Sequence, residues 1–263
     1  MTISFAHAPL EPGGTVSAVV GDGVAEICFG HPKSNALPAT VLRLLANEIT
    51  SAGERDDVHV LVLRSYGTGA FCAGASFDEL AAIRDAVAGK EFFMGFARVI
   101  LAMIRCPKAI VTRVHGKVVG GGVGIVAASD YVVALSRASL RLSELAVGIG
   151  PFVVGPAIER KIGTGAFSLM SLDADWRDAA WAERHGLYGR IFDVPAELEQ
   201  VLEHRVRELT GSNPEAVRLI KEATWRGTDD WSQLLERRAE MSGQLVLSDY
   251  TRAAITRFQS GAR

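Results

Sequence analysis

Apolar and polar positions change their period repeatedly along the chain, and each change marks an element. Between Thr15 and Phe29 two β-type runs flank Gly21-Asp22-Gly23, which predicts a hairpin. After the His31-Pro32-Lys33-Ser34-Asn35 loop, Pro38 suits the first turn of a helix reaching about Ala52, with Val41, Leu44, Leu45 and Ile49 at helical spacing. His59 to Arg64 reads as a buried strand, broken at Ser65–Gly69. Small residues from Ala70 lead into a short helix near Leu80, and a second helix, from about Phe92 to Arg105, stops before Pro107.

The apolar strand Ala109–Val114 then runs into His115-Gly116-Lys117-Val118-Val119-Gly120-Gly121-Gly122-Val123-Gly124, where glycines open a further helix. A strand follows over Tyr131–Ser136, and Ser139–Gly150 is a strand-and-turn region carrying Glu144. Phe152–Ile162 reads as a helix ended by Gly163, Asp175–His185 as a Trp- and Ala-rich helix, and Leu187–Phe192 as a short strand. From Glu197 the pattern becomes wholly helical, over about 197–210, 214–226 and 231–260, with a break near Ser248-Asp249. Alternating strands and helices predict an α/β protein. The chain divides into a tail over 1–14, a core over 15–196 and a helical C-terminal region over 197–263, whose apolar faces need either the core or another subunit to pack on.

Composition narrows the function. With 48% hydrophobic and 22% charged residues the 263-residue chain is an ordinary globular protein. Its 28 basic and 30 acidic side chains give a net charge of −2, and no basic stretch interleaved with aromatics suggests nucleic acid. Cys28, Cys72 and Cys106 show no metal-ligand spacing, so no metal is expected and the thiols read as reduced. Neither a leader pattern nor a membrane-length apolar run stands out, which suggests a cytoplasmic protein.

Glycines between a strand and a helix leave free N–H groups facing whatever lies before the helix. Gly122-Val123-Gly124-Ile125-Val126-Ala127 fits G-x-G-x-x-A, but the next strand, ending near Leu135-Ser136, offers no ribose-binding carboxylate. P-loop, nucleophile-elbow and HExxH patterns are absent, and His115 reads as a structural histidine. There remain two small-residue turns, Ala73-Gly74-Ala75 and Gly120-Gly121-Gly122. Side by side they form an oxyanion hole; otherwise they serve close helix–strand packing.

Asn35-Ala36-Leu37, Ala70-Phe71-Cys72-Ala73-Gly74-Ala75, Gly116–Gly122 with Asp130, and Ser143-Glu144 to Pro151 occur in order, at spacings that resemble the crotonase superfamily, the enoyl-CoA hydratase/isomerase family. The resemblance runs from Thr15 to Phe258. It implies a crotonase-like spiral of ββα units, an α-helical C-terminal region that builds homotrimers or hexamers, and acyl-CoA thioester substrates without any separate cofactor. It also implies an oxyanion hole from the backbone N–H groups of Ala75 and Gly121, Glu144 as catalytic base, and a substrate path along Ala36, Ala73, Gly74, Gly122 and Phe152.

The departures from the family pattern are as informative. Hydratases of this family use two glutamates, and Gly124 stands at the position of one of them. Syn hydration needs one group to activate water and another to deliver a proton, whereas isomerisation needs a single base. Ser76 and Asp78 replace an acidic and a basic residue after the first turn, and Phe152 stands in what is elsewhere a small, glycine-rich loop. The expected function is hydration of, or isomerisation in, an enoyl-CoA; the alternative is an acyl-CoA-binding oligomer with little or no turnover.

Overall fold

The structure, a computed structural model, describes residues 6–259, with side chains through Arg257. Strands β1 (Thr15–Gly21) and β2 (Val24–Gly30) form the expected hairpin, in register from Thr15↔Gly30 to Gly21↔Val24. Its turn is Asp22-Gly23, both at positive φ (51° and 79°), which matches the right-handed twist of the flanking strands. Residues 6–14, expected to be a tail, lie against this sheet. The His7 ring is 2.9 Å from Glu26, and the Tyr66 hydroxyl donates to the Ala8 carbonyl.

Helix α1 (Ala39–Glu54) leads to β3 (Val60–Ser65), and the short α2 (Phe77–Ala82) and long α3 (Ala86–Arg105) lead to β4 (Ala109–Val114). The buried stripe of α1 is Val41, Leu42, Leu45, Ala46 and Ile49; Leu44 lies at its edge. Helix α3 begins well before the expected Phe92 because the Asp85 carboxylate accepts from Ala88 N–H at 2.8 Å and caps its first turn. Next come β5 (Val118–Val119), α4 (Gly121–Ala128), β6 (Tyr131–Leu135), β7 (Ser139–Arg141), a 3-10 turn over Leu145–Val147 and α5 (Gly155–Ile162).

Two differences from the sequence expectation follow. A helix, α6 (Thr164–Asp173), fills a stretch for which no element was read. Asp175–Asp178 is not helical: Arg177–Asp178 forms β8, and only α7 (Ala179–Arg184) remains of the Trp- and Ala-rich helix. After β9 (Arg190–Phe192) come α8 (Pro195–Thr210), α9 (Pro214–Thr224), α10 (Trp231–Leu245) and α11 (Asp249–Gln259), the last two separated at the predicted break.

One sheet runs β1-β2-β3-β4-β6-β9, parallel apart from the β1–β2 pair; a second, small sheet runs β5-β7-β8. The large sheet is covered on both faces, as parallel strands require. On one side lie α1, α3, α4 and α5; on the other, Leu198, Leu202 and Val206 of α8 pack on Val60, Val62, Val111 and Val133. Of the C-terminal helices, α10 packs on α3 of its own chain. The backbones approach so closely that a Cβ on Gly89 would stand 2.8 Å from Gly243 Cα. No helix among the described residues is long and apolar enough to cross a membrane.

Candidate active site

The two glycine turns are stitched together by backbone. Cys72 N–H donates to the Lys117 carbonyl (3.1 Å) and Val119 N–H to the Cys72 carbonyl (2.9 Å), a parallel bridge between the two loops. On its other side the first loop pairs with Leu37, whose N–H donates to Gly74 O (2.8 Å) while Ser76 N–H donates to Leu37 O (3.3 Å). In a parallel bridge the residue between those two groups points its own N–H to the opposite side, and that residue is Ala75. Gly121 is the first residue of α4, so its N–H has no partner within the helix. The turn before it needs glycine, since Gly120 sits at φ 53°, ψ −120°.

Glu144 stands opposite. Its carbonyl accepts from Val147 N–H (3.1 Å) and Ile149 N–H (2.9 Å), which fixes the 3-10 turn beneath it. The carboxylate lies against the glycine turn: a Cβ on Gly120 would be 3.0 Å from Glu144 Oε1. Although the residue keeps partial exposure, Oε2 is sealed from solvent and has no hydrogen-bond partner. Burial pushes the carboxyl up to about 7, opposed by its own and Ser143 backbone N–H groups and by the Arg141 charge.

These groups line an inner chamber of about 60 Å³, with Ala73, Gly74, Ala75, Gly121, Glu144 and Phe152 all on its wall. Among the described residues the lining apart from Glu144 is apolar or backbone, with Ser143 and Ser242 the only other polar side chains. Two residues expected on the substrate path lie elsewhere. Gly122 turns toward Cys72, where a Cβ would be 2.7 Å from Cys72 Cβ, so it serves helix–loop packing. Ala36 is buried behind the Lys33–Leu37 turn and lines neither chamber described here.

Gly124 is occluded as well. A Cβ there would stand 2.6 Å from both Cβ and Cγ1 of Val154, so a valine fills the space into which a longer side chain would project. His115 is 1% exposed, packs edge-on against Phe71 at 6.4 Å and lines neither chamber. Burial first, then Arg113 and Arg137, hold its imidazole down to about 4. Asp130 accepts from Ile110 N–H (2.8 Å) and pairs with Lys221 (2.7 Å), a structural tie behind α4.

An outer chamber of about 620 Å³ shares Ala73, Phe77, Ser143 and Val147 with the inner one. Lys117, Arg141 and Trp176 lie on its wall. Trp176 is 42% exposed, whereas Trp225 and Trp231 are buried against each other. Asp78, the acid at an expected basic position, is paired with Lys33 at the surface. The side chain of Phe258, where the family resemblance ends, lies outside the described side chains. Among the described residues no group of His, Cys, Asp and Glu is placed to hold a metal.

Comparison with known proteins gives a consistent picture. The model of the family described as enoyl-CoA hydratase/isomerase matches residues 20–260. A (7aS)-7a-methyl-1,5-dioxo-2,3,5,6,7,7a-hexahydro-1H-indene-carboxyl-CoA hydrolase of Rhodococcus jostii is 34% identical over 132 residues, covering 50% of this chain and 51% of that protein. A carnitinyl-CoA dehydratase of Salmonella arizonae is 30% identical over 223 residues, 84% of each chain. The solved structure of an enoyl-CoA hydratase from Bacillus halodurans superposes with a TM-score of 0.85 at 22% identity, covering 92% of this chain and 98% of that one, and shares the fold.

Proposed function

The chain belongs to the enoyl-CoA hydratase/isomerase family, and from that premise we propose that it is an enzyme that moves a double bond in an acyl-CoA thioester with one base. The thioester oxygen lies between the N–H groups of Ala75 and Gly121, and the α carbon faces Glu144. In a 3-enoyl thioester the Glu144 carboxylate takes an α proton. The C–H electron pair passes into a dienolate whose charge rests on the thioester oxygen, in front of the α4 N-terminus. The same carboxyl then returns its proton to the γ carbon, the oxygen gives up its charge, and the double bond lies between α and β.

The observation that carries this reading is the Gly124–Val154 contact. Hydration needs a second group to handle water, and the position at which the family's hydratases carry an acid, Gly124 in this chain, has neither an acid nor the space for one. Among the described residues Glu144 is the only titratable side chain lining the inner chamber, and a carboxyl held near 7 both accepts and returns a proton at neutral pH. The exposed apolar side chains Leu169 and Leu172 of α6 and Ile220 of α9 support assembly of further copies, which we take to be a homotrimer or a hexamer.

The test is a panel of 3-enoyl- and 2-enoyl-CoAs, together with exchange of the α proton of butyryl-CoA in heavy water. Isomerisation and exchange without hydration support the reading. Hydration of 2-enoyl-CoA at a matching rate removes the single-base assignment. Thioester binding with neither exchange nor turnover leaves the alternative, an acyl-CoA-binding oligomer.

A further inference from the structure

Helix α11 sends one hydroxyl across to the turn that carries Glu144. Thr50, Thr210, Thr224 and Thr256 each donate to the carbonyl four residues back in their own helix. Thr251 stands in the first turn of α11, where no helical carbonyl lies four residues back. Its N–H donates to Ser248 Oγ (3.3 Å), and its hydroxyl leaves the helix and donates to the Gly148 carbonyl at 3.1 Å. Thr251 is 0% exposed, and Ala254 and Ile255 are buried in the core one turn further on.

The accepting carbonyl and the Ile149 N–H belong to one peptide group, and in a trans peptide the two point in opposite directions. On one side the group accepts from Thr251; on the other it donates to the Glu144 carbonyl at 2.9 Å. A single rigid plane therefore joins α11 to the backbone of Glu144. Gly148 sits at φ 84°, ψ 16°, and its own N–H donates to Leu145 O (2.9 Å), so Gly148 and Ile149 close the 3-10 turn as a left-handed cap. Glycine leaves that peptide free to rotate. What holds it is the pair of hydrogen bonds, and removing the Thr251 donor leaves a carbonyl unpaired against a buried side chain.

The reading of Glu144 as the base, on which this step rests, makes its placement critical, because a misplacement of about 1 Å can cost about 10²-fold in rate. Glu144 Oε2 has no hydrogen-bond partner of its own, so the carboxylate depends on the turn beneath it. We propose that Thr251 is a positioning residue for Glu144: through the Gly148–Ile149 peptide its hydroxyl holds the carboxylate against the glycine turn of α4. Seating of α11 on the core and orientation of the base are coupled by this one contact.

The experiment measures isomerisation of a 3-enoyl-CoA by the full-length chain across pH 5 to pH 8. Thr251→Val is expected to lose about 10- to 100-fold in kcat with KM kept, and Thr251→Ser to stay within about threefold of wild type. Thr251→Ser and Thr251→Ala differ by the hydroxyl alone, so their kcat ratio gives the same comparison if the valine variant does not fold. Thr256→Val, which removes an exposed hydroxyl from the same helix, leaves kcat and KM unchanged. A loosened turn also lets water reach Oε2 and relieves the burial that holds the carboxyl near 7. The Arg141 charge still acts on it, and among the described residues no other titratable side chain lines the inner chamber. The midpoint of the kcat/KM profile is therefore expected to move down in Thr251→Val, whereas a loss of helix packing alone leaves it in place.

The proposal is overturned if Thr251→Val keeps kcat, if its whole loss lies in KM, or if its pH midpoint stays at the wild-type value. It is also overturned if Thr251→Ser loses as much as Thr251→Val, because the methyl group is then what matters. If wild type moves no double bond, or Glu144→Gln turns over as fast as wild type, the functional reading falls and the positioning role with it. If Glu144→Gln is inactive while Thr251→Val matches wild type, the reading stands and the positioning role alone falls.

Discussion

In the inner chamber one carboxylate faces apolar side chains and backbone N–H groups, whereas in the outer chamber two cations lie against one tryptophan ring and no described carboxylate is on the wall. The two spaces meet at Ser143 and Ala73, yet their walls come from different architecture. The inner one is built from helix ends and turns, where orphan N–H groups and close glycine contacts set the geometry. The outer one is floored by a small sheet, where cross-strand neighbours set it. Chemistry and recognition are therefore separable apart from one link, the Arg141 charge, which also acts on the Glu144 carboxyl: a change at Lys117 or Trp176 should leave the inner chamber's signature in place.

The largest test of the inner chamber is Glu144→Gln. A positioned acid–base group contributes about 10²- to 10⁴-fold, so isomerisation and α-proton exchange should fall by that factor while calorimetric affinity for butyryl-CoA is kept. Equal turnover in the variant would remove Glu144 as the base. Next in size is Gly121→Ala, whose Cβ would stand 2.1 Å from Phe96 Cε1 and force α4 or the ring to move. Displacing one oxyanion donor costs about 10²- to 10³-fold in kcat. Gly121→Ala/Phe96→Leu should recover much of the loss; an undiminished kcat in Gly121→Ala would count against the oxyanion assignment.

Much of this plan was visible in the sequence wherever local pattern decided the outcome. The hairpin at Asp22-Gly23, β4, and the break between α10 and α11 follow from turn chemistry and apolar period alone. Gly124 was legible as a missing acid; that Val154 fills its space was not, because that contact joins α4 to the start of α5. Helix α6 escaped because Leu169 and Leu172 face outward and only Met170 is buried, leaving no amphipathic period to read. Trp176 was assigned to a helix because the Trp- and Ala-rich stretch has helical composition. Its place beside a strand comes from pairing with β7, a ladder that no local window contains.

The buried carboxyl also makes stability depend on pH. Its folded value of about 7 lies above the ordinary 4.5, so below pH 4.5 the proton is held in both states and burial carries no charge penalty. As pH rises from 4.5 through 7 the unfolded chain gives up its proton first, and stability falls by up to about 3 kcal/mol. Glu144→Gln does not titrate, so its Tm relative to wild type should climb between pH 5 and pH 8. Over the same range wild-type kcat/KM should rise to a plateau as the base ionises. A Tm difference that is flat with pH would mean that the carboxyl is better solvated than its sealed Oε2 suggests.

The smallest effect belongs to the outer chamber. A phosphate of a CoA thioester that reaches the outer chamber would meet the exposed Lys117 and the half-buried Arg141 partly through solvent, so salt should weaken that contact. The screening length shrinks from about 10 Å at 0.1 M to about 3 Å at 1 M. Raising NaCl across that range should therefore lift KM for an enoyl-CoA by several-fold while leaving KM for the matching enoyl-pantetheine nearly constant. Glu144 acts on a proton inside a chamber with no mobile ions between base and substrate, so kcat should hold with either substrate. A salt effect on kcat alone, or one of equal size on both thioesters, would mean that the two chambers are not electrostatically separate.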